Sequence, residues 1–285
     1  MGRVVGCCAL ALVPLLGLLL APLGWGGAGG ADLRGEAWID SATDARDMAD
    51  AMFAEARAIW ASDGWHVVST AADVTIESRR IDAGPFARSG VLLTRATAVL
   101  ANASAEATIG LLTTPEGFAV IDPMSDPKEF AEYLESFSEG WGSGPDARLE
   151  VAEAKVPLPP PFLPRDFVVL NAMDVGERLF VSKSVLHRSR PGASEFNDLG
   201  VPPPNGKVRA LNTFAVSAED LGGRRCRVRA INFAHLGGGW STAMMNWINC
   251  KAFLGPFFER LQAKLDDLAT SPSSTPSTSP TRRRC

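Results

Sequence analysis

The sequence predicts an α+β fold in which one curved antiparallel sheet is wrapped around a single long C-terminal helix. Three observations predict it. Strand-like alternation from Val228 to His235 runs into Gly237-Gly238-Gly239 and then into a long apolar helix that opens Trp240-Ser241-Thr242-Ala243-Met244-Met245-Asn246. A last strand handing over to one apolar helix suits a sheet whose face a single helix must cover. The element order is helix, three strands, two short helices, about five strands, long helix. Neighbouring strands in each group can pair antiparallel, and one sheet on one helix is the simplest layered solution. The helix then either fills the core or roofs a cavity, and that choice sets the function.

The elements follow in order. Ser41–Trp60 reads as a helix: Ser41-x-x-Asp44 resembles a capping box, and Met48, Met52, Ile59 and Trp60 fall near one stripe. Asp63-Gly64 breaks it. Trp65–Ser69, Asp73–Arg80 and Val91–Leu100 read as strands, with Val74, Ile76 and Ser78 alternating against Thr75, Glu77 and Arg79. Ala83-Gly84-Pro85 supplies a turn. Ser104–Leu112 reads as a short helix. Asp126-Pro127-Lys128-Glu129 predicts another, with Phe130, Leu134, Phe137 and Trp141 on its apolar face. After Gly142-Ser143-Gly144-Pro145, strands return at Arg148–Val156, Asp166–Met173, Leu179–Leu186, Val208–Ala218 and Arg225–His235. The prolines of Pro157–Pro164 end pairing between the first two. Ser189–Asn205 is a polar loop rich in Pro and Gly. The final helix runs from about Gly239 to Leu268, and Gly255-Pro256 predicts a kink because proline removes a helical hydrogen bond.

The ends are of other character. Arg3 precedes the uncharged run Val4–Trp25, and small residues follow to Ala31. This describes a secretory signal peptide over residues 1–31; a retained membrane anchor and part of an organelle-targeting leader are the alternatives. The expected location is the secretory pathway. The tail, residues 270–285, is repetitive in Ser, Thr and Pro and cannot bury enough apolar surface to fold. Residues 41–268 form one domain. Between Asp32 and Ala269, 24 basic residues stand against 32 acidic ones, a net −8 that a nucleic acid backbone repels. In the body only Cys226 and Cys250 occur; they form one disulfide or two buried thiols. No cysteine pair has metal-ligand spacing. Asn102-Ala103-Ser104 is the single glycosylation sequon, with chance occurrence as its alternative.

Three blocks carry a family likeness: Val74-Thr75-Ile76-Glu77-Ser78-Arg79; Pro161-Phe162-Leu163-Pro164-Arg165-Asp166-Phe167-Val168; and Leu236-Gly237-Gly238-Gly239-Trp240 with Asn246. With the element order they resemble the START lipid-transfer family, a helix-grip fold, from about Asp44 to Leu268. Ser241-Thr242 stand where that family usually carries a proline. The resemblance implies a hydrophobic cavity between sheet and C-terminal helix that holds one lipid: a sterol, phospholipid or sphingolipid. It implies a monomer, transient membrane contact, no cofactor and no metal. Trp240, Met244, Trp247, Phe253 and Phe257 are candidates for the cavity roof, with plain core packing as the alternative. On the sheet, Phe214, Asn212, Asn232 and Arg95 are candidates to point inward, where a lipid head group would partner the polar ones; outward-facing polar side chains are the alternative. Ser189–Asn205 and Gly237–Gly239 are lid candidates.

Catalysis has less support. His235-Leu236-Gly237-Gly238-Gly239 resembles an esterase oxyanion loop, but the chain has no Gly-x-Ser-x-Gly nucleophile elbow and only three histidines. There is no phosphate loop, dinucleotide fingerprint or His-Glu-x-x-His motif. Two other readings remain beside lipid binding. One is a helix-grip cyclase or dehydratase on an apolar substrate, with His235, Asp166 and Glu77 as its acid–base supply. The other is a degenerate domain acting as an interaction module.

Overall fold

A computed structural model describes residues 38–71, 73–81, 89–112, 117, 131–144, 146–156, 164–187, 208–237 and 240–270. These lie within one compact unit, Ala31–Cys285. The leader, most of the tail, residues 157–163, the loop Ser189–Asn205, and Gly238 and Gly239 fall outside the described residues.

Strand β1 (Trp38–Ile39) leads into helix α1 (Ala42–Ala61). Ser41 caps α1, accepting from the Asp44 amide at 3.1 Å while the Asp44 carboxylate accepts from the Ser41 hydroxyl at 2.7 Å. This is the predicted capping pair. Strands β2 (His66–Ala71), β3 (Val74–Arg80) and β4 (Leu92–Ala101) follow within a residue or two of the expected bounds, then helix α2 (Ala105–Leu111) capped by Ser104.

The second predicted short helix is not formed in its described half. Ala131–Ser136 is strand β5, paired antiparallel with β6 (Arg148–Val156). The capping signals at Asp126–Glu129 lie outside the described residues. Beyond them, an open β6 edge offers a full hydrogen-bond ladder, and that tertiary partner overrides local helix propensity. Leu134, Phe137 and Trp141 still reach the α1-side core.

Strands β7 (Arg165–Asp174), β8 (Leu179–Ser184), β9 (Leu186–His187), β10 (Val208–Arg209), β11 (Leu211–Gly222) and β12 (Arg225–His235) complete the chain's sheets. The main path runs β2-β3-β4-β12-β11-β8-β7-β6-β5, antiparallel throughout, with β10 added parallel to β7 and β1 paired with β9. A continuous helix ends the fold: α3 (Thr242–Trp247), a π-turn (Ile248–Phe253) and α4 (Leu254–Thr270). The helix runs on through Gly255-Pro256, where a kink was expected, and the π-turn stands just ahead of them. Widening the preceding turn accommodates a proline ring that would otherwise meet the carbonyl four residues back.

The sheet separates two apolar cores. On one face α1 buries Met52, Phe53 and Ala56 against Leu170, Val181 and Ile231. On the other, Phe257, Phe258 and Leu261 of α4 lie against Ala98, Val216 and Val228. Cys226 and Cys250 are free buried thiols, which resolves the open cysteine question. Among the described residues no helix is long and apolar enough to cross a membrane.

Candidate functional site

Strand pleating sends alternate residues to opposite faces, so the pairing register fixes which side chains face the C-terminal helix. One transverse row on that face begins Ser78, Thr94 and Asn232, crosses Phe214, and continues through Ser182, Asn171 and Glu150. The adjacent row is Ile76, Ala96, Ala230, Val216, Phe180 and Met173. A polar belt thus runs beside an apolar one, in a face otherwise built for burial.

The first half of the belt is closed by the π-turn. Asn249 is fully buried. Its Oδ1 accepts from Asn232 Nδ2 at 3.1 Å and from the Ala234 amide at 3.0 Å, and its Nδ2 donates to the Ala234 carbonyl at 3.1 Å. The Thr94 hydroxyl donates to the Asn232 carbonyl at 2.8 Å. Two other carboxamides on the same helix bond strand backbone in this way. Asn246 accepts from the Leu92 amide and donates to the Gly90 carbonyl, at 2.7 and 3.1 Å. Gln262 accepts from the Ala101 amide and donates to the Ala101 carbonyl, at 2.9 and 3.0 Å.

Phe214 divides the belt. Its ring meets those of Phe253 at 5.6 Å and Phe257 at 5.5 Å, both edge to face. Beyond it the second half is different. Asn171 is buried, and its Oδ1 has no hydrogen-bond partner. Burial pushes the Glu150 carboxyl above its ordinary value, against the pull of Arg148. On the neighbouring row a cleft of about 540 Å³ opens, lined by Arg148, Met173, Val175, Leu111, Lys264 and Leu268 among others.

The structure brings four of the expected site residues together: Phe214, Phe253, Phe257 and Asn232. Asn212 shares their face by register with Ala234, and its backbone N–H donates to Ser184 Oγ at 2.8 Å. The others lie elsewhere. Arg95 is a correction: it is on the α1 face, paired with Glu77 at 2.8 Å and donating to the Trp60 and Ser62 carbonyls, with its guanidinium over Trp65. Its neighbours Thr94 and Ala96 take the helix face, so Arg95 must take the other. Trp247 is also a correction: it is 46% exposed, and Met245 is the buried residue of α3. Trp240 joins the α1-side core, with the Arg165 guanidinium 5.9 Å from its ring. Met244 is half-buried at the start of α3. Asn171, Glu150, Ser182 and Asn249 were not singled out in the sequence. For Asn171 there was a signal, a lone carboxamide inside Val168-Val169-Leu170-Asn171-Ala172-Met173.

Glu77, Asp166 and His235 fall, by the same alternation, on the α1 face. Burial pushes the His235 imidazole below its ordinary value. Among the described residues no group of three His, Cys, Asp or Glu side chains is arranged to hold a metal ion.

No family model matches the chain, and no curated protein matches it. Solved structures do. Human StAR-related lipid transfer protein 5 is 18% identical with a TM-score of 0.54, over 80% of this chain and 99% of that one. Human STARD10 is 14% identical with a TM-score of 0.51, over 82% of this chain and 84% of that one. The protein has the START-like helix-grip fold: a large antiparallel sheet and a long C-terminal helix.

Proposed function

We propose that the protein binds one lipid between the C-terminal helix and the sheet, and carries it between membranes without altering it. The observation that carries this reading is the divided belt. The helix satisfies Thr94, Asn232 and their neighbours, and leaves a buried polar group at Asn171 without a protein partner. A ligand with a long apolar body and one polar end suits such a face. Exposing acyl chain to water costs about 0.8 kcal/mol per CH₂, so a carrier must offer a comparably dry lining. Release then requires part of the wall to open at a membrane. The fold is consistent with this use, since one solved structure it resembles is named as a lipid transfer protein.

The enzyme reading has weaker support, because His235, Asp166 and Glu77 lie on the face away from the helix. A direct test is native mass spectrometry of the full chain after incubation with vesicles of mixed sterol, phospholipid and ceramide. The expected result is a one-to-one lipid adduct. Bare protein after exposure to the whole panel overturns the reading and favours an interaction module.

A further inference from the structure

The second half of the belt says what kind of polar end the ligand carries. Asn171 is 8% exposed, and its Oδ1 has no partner. A buried amide oxygen without a donor is costly, so a ligand that brings an O–H there gains more than one that brings only acceptors. Glu150 stands directly opposite Asn171 on β6, and Ser182 directly opposite on β8. Directly opposed side chains have Cβ atoms about 4.5–5.5 Å apart, so all three reach one small polar group. A phosphate in that position would meet the Glu150 carboxylate in a weakly screened setting, where like charges repel strongly. The neighbouring row offers Met173 and Phe180, which are buried and apolar, to the hydrocarbon just below the polar end.

Resting on the lipid-binding reading, the geometry points to Asn171, flanked by Ser182 and Glu150, as a subsite for a lipid whose polar end is an uncharged hydroxyl, one that excludes anionic phosphate head groups. Asn171 Oδ1 accepts the hydroxyl proton. Ser182 is placed to share the hydroxyl oxygen. Glu150 sets the charge selectivity.

The test loads the full chain from phosphatidylcholine vesicles containing cholesterol, dioleoylglycerol, cholesteryl methyl ether or phosphatidylserine, with bound lipid counted by native mass spectrometry. Cholesterol or dioleoylglycerol should load about tenfold better than the methyl ether, the effect of one hydrogen bond to a buried acceptor. The sterol and glycerolipid arms tell which hydrocarbon skeleton carries the hydroxyl. Asn171→Leu should bring the cholesterol-to-ether ratio close to one, and Glu150→Gln should raise phosphatidylserine loading several-fold. The wild-type ratio stands even if a variant misfolds. If the ether or phosphatidylserine loads as well as the hydroxyl lipids, or if Asn171→Leu keeps the wild-type ratio, the subsite is wrong while lipid binding stands. If no lipid of any kind loads, the lipid reading itself fails.

Discussion

Glu150 and Asp174 lie on neighbouring strands, and the fold pushes their carboxyls in opposite directions. Burial alone would raise Asp174, but hydrogen bonds outweigh it: the Ser143 amide donates at 2.7 Å, the Ser143 hydroxyl donates to the other oxygen, and the Glu177 amide donates at 3.1 Å. Its folded value lies below its unfolded one. The stability it contributes is therefore present above the unfolded value and lost as pH falls through the folded one. Asp174→Ala should cost about 2–3 kcal/mol in urea unfolding at neutral pH, and much less in acid. Glu150 has the reverse sign. Its folded value is raised by burial, so the native state holds the proton more tightly, and stability falls as pH rises through that window. Glu150→Gln should then raise the melting temperature at neutral pH and give no gain below the unfolded carboxyl range. A Glu150→Gln variant less stable than wild type at pH 7 would count against this environment for Glu150. Neither behaviour was legible in the sequence, where both are single acids in alternating strands. Their difference comes from Ser143 and from the row on which each lies.

The C-terminal helix shows how far an element could be read before its contacts were known. Its apolar character and its entry were legible, because both are local properties of the sequence. Which of its residues face the sheet was not. A π-turn shifts the helical phase, so Trp247, expected on the roof, turns outward while Asn249 turns in. Strands raise the same difficulty in sharper form. Arg95 sits one residue from Thr94 and Ala96, and only pairing with β3 and β12 decides which of them is inside. The edge strand β5 was misread for a third reason, since pairing with the next strand, β6, overrode the helical pattern expected over Ala131–Ser136. Two substitutions probe the helix. Asn249→Ala leaves the Ala234 amide, its carbonyl and Asn232 without their partners, and should cost about 2–4 kcal/mol. Hydrogen exchange should then show Thr242–Phe253 opening while α4 stays protected. Phe257→Ala removes a fully buried ring that touches Phe214, Phe253 and Phe258, and should cost about 3–5 kcal/mol in chemical denaturation.

At the scale of the whole molecule, element order and alternation sufficed for the architecture, because a strand-rich chain closing on one apolar helix has few layered solutions. A ligand held between the two layers must stabilise them together. At a free concentration of a hundred times Kd it adds about 2.7 kcal/mol, which should raise the melting temperature by about 5–10 °C in a thermal scan. A bound lipid that left the melting point unchanged would have to lie outside the fold. The carboxamides of Asn246, Asn249 and Gln262 bear on how such a ligand leaves. Each fastens the helix to strand backbone as a neutral imitation of a peptide group. Neutral fasteners do not titrate and are hardly screened. Acidity at a membrane surface and ionic strength therefore have little leverage on them, whereas any phase rich in competing hydroxyls and carbonyls has a great deal. The protection of the Leu92, Ala101 and Ala234 amides should be the same in dilute and concentrated salt and should weaken at a lipid headgroup layer. The roof would then yield to the chemistry of the interface it meets, not to its charge.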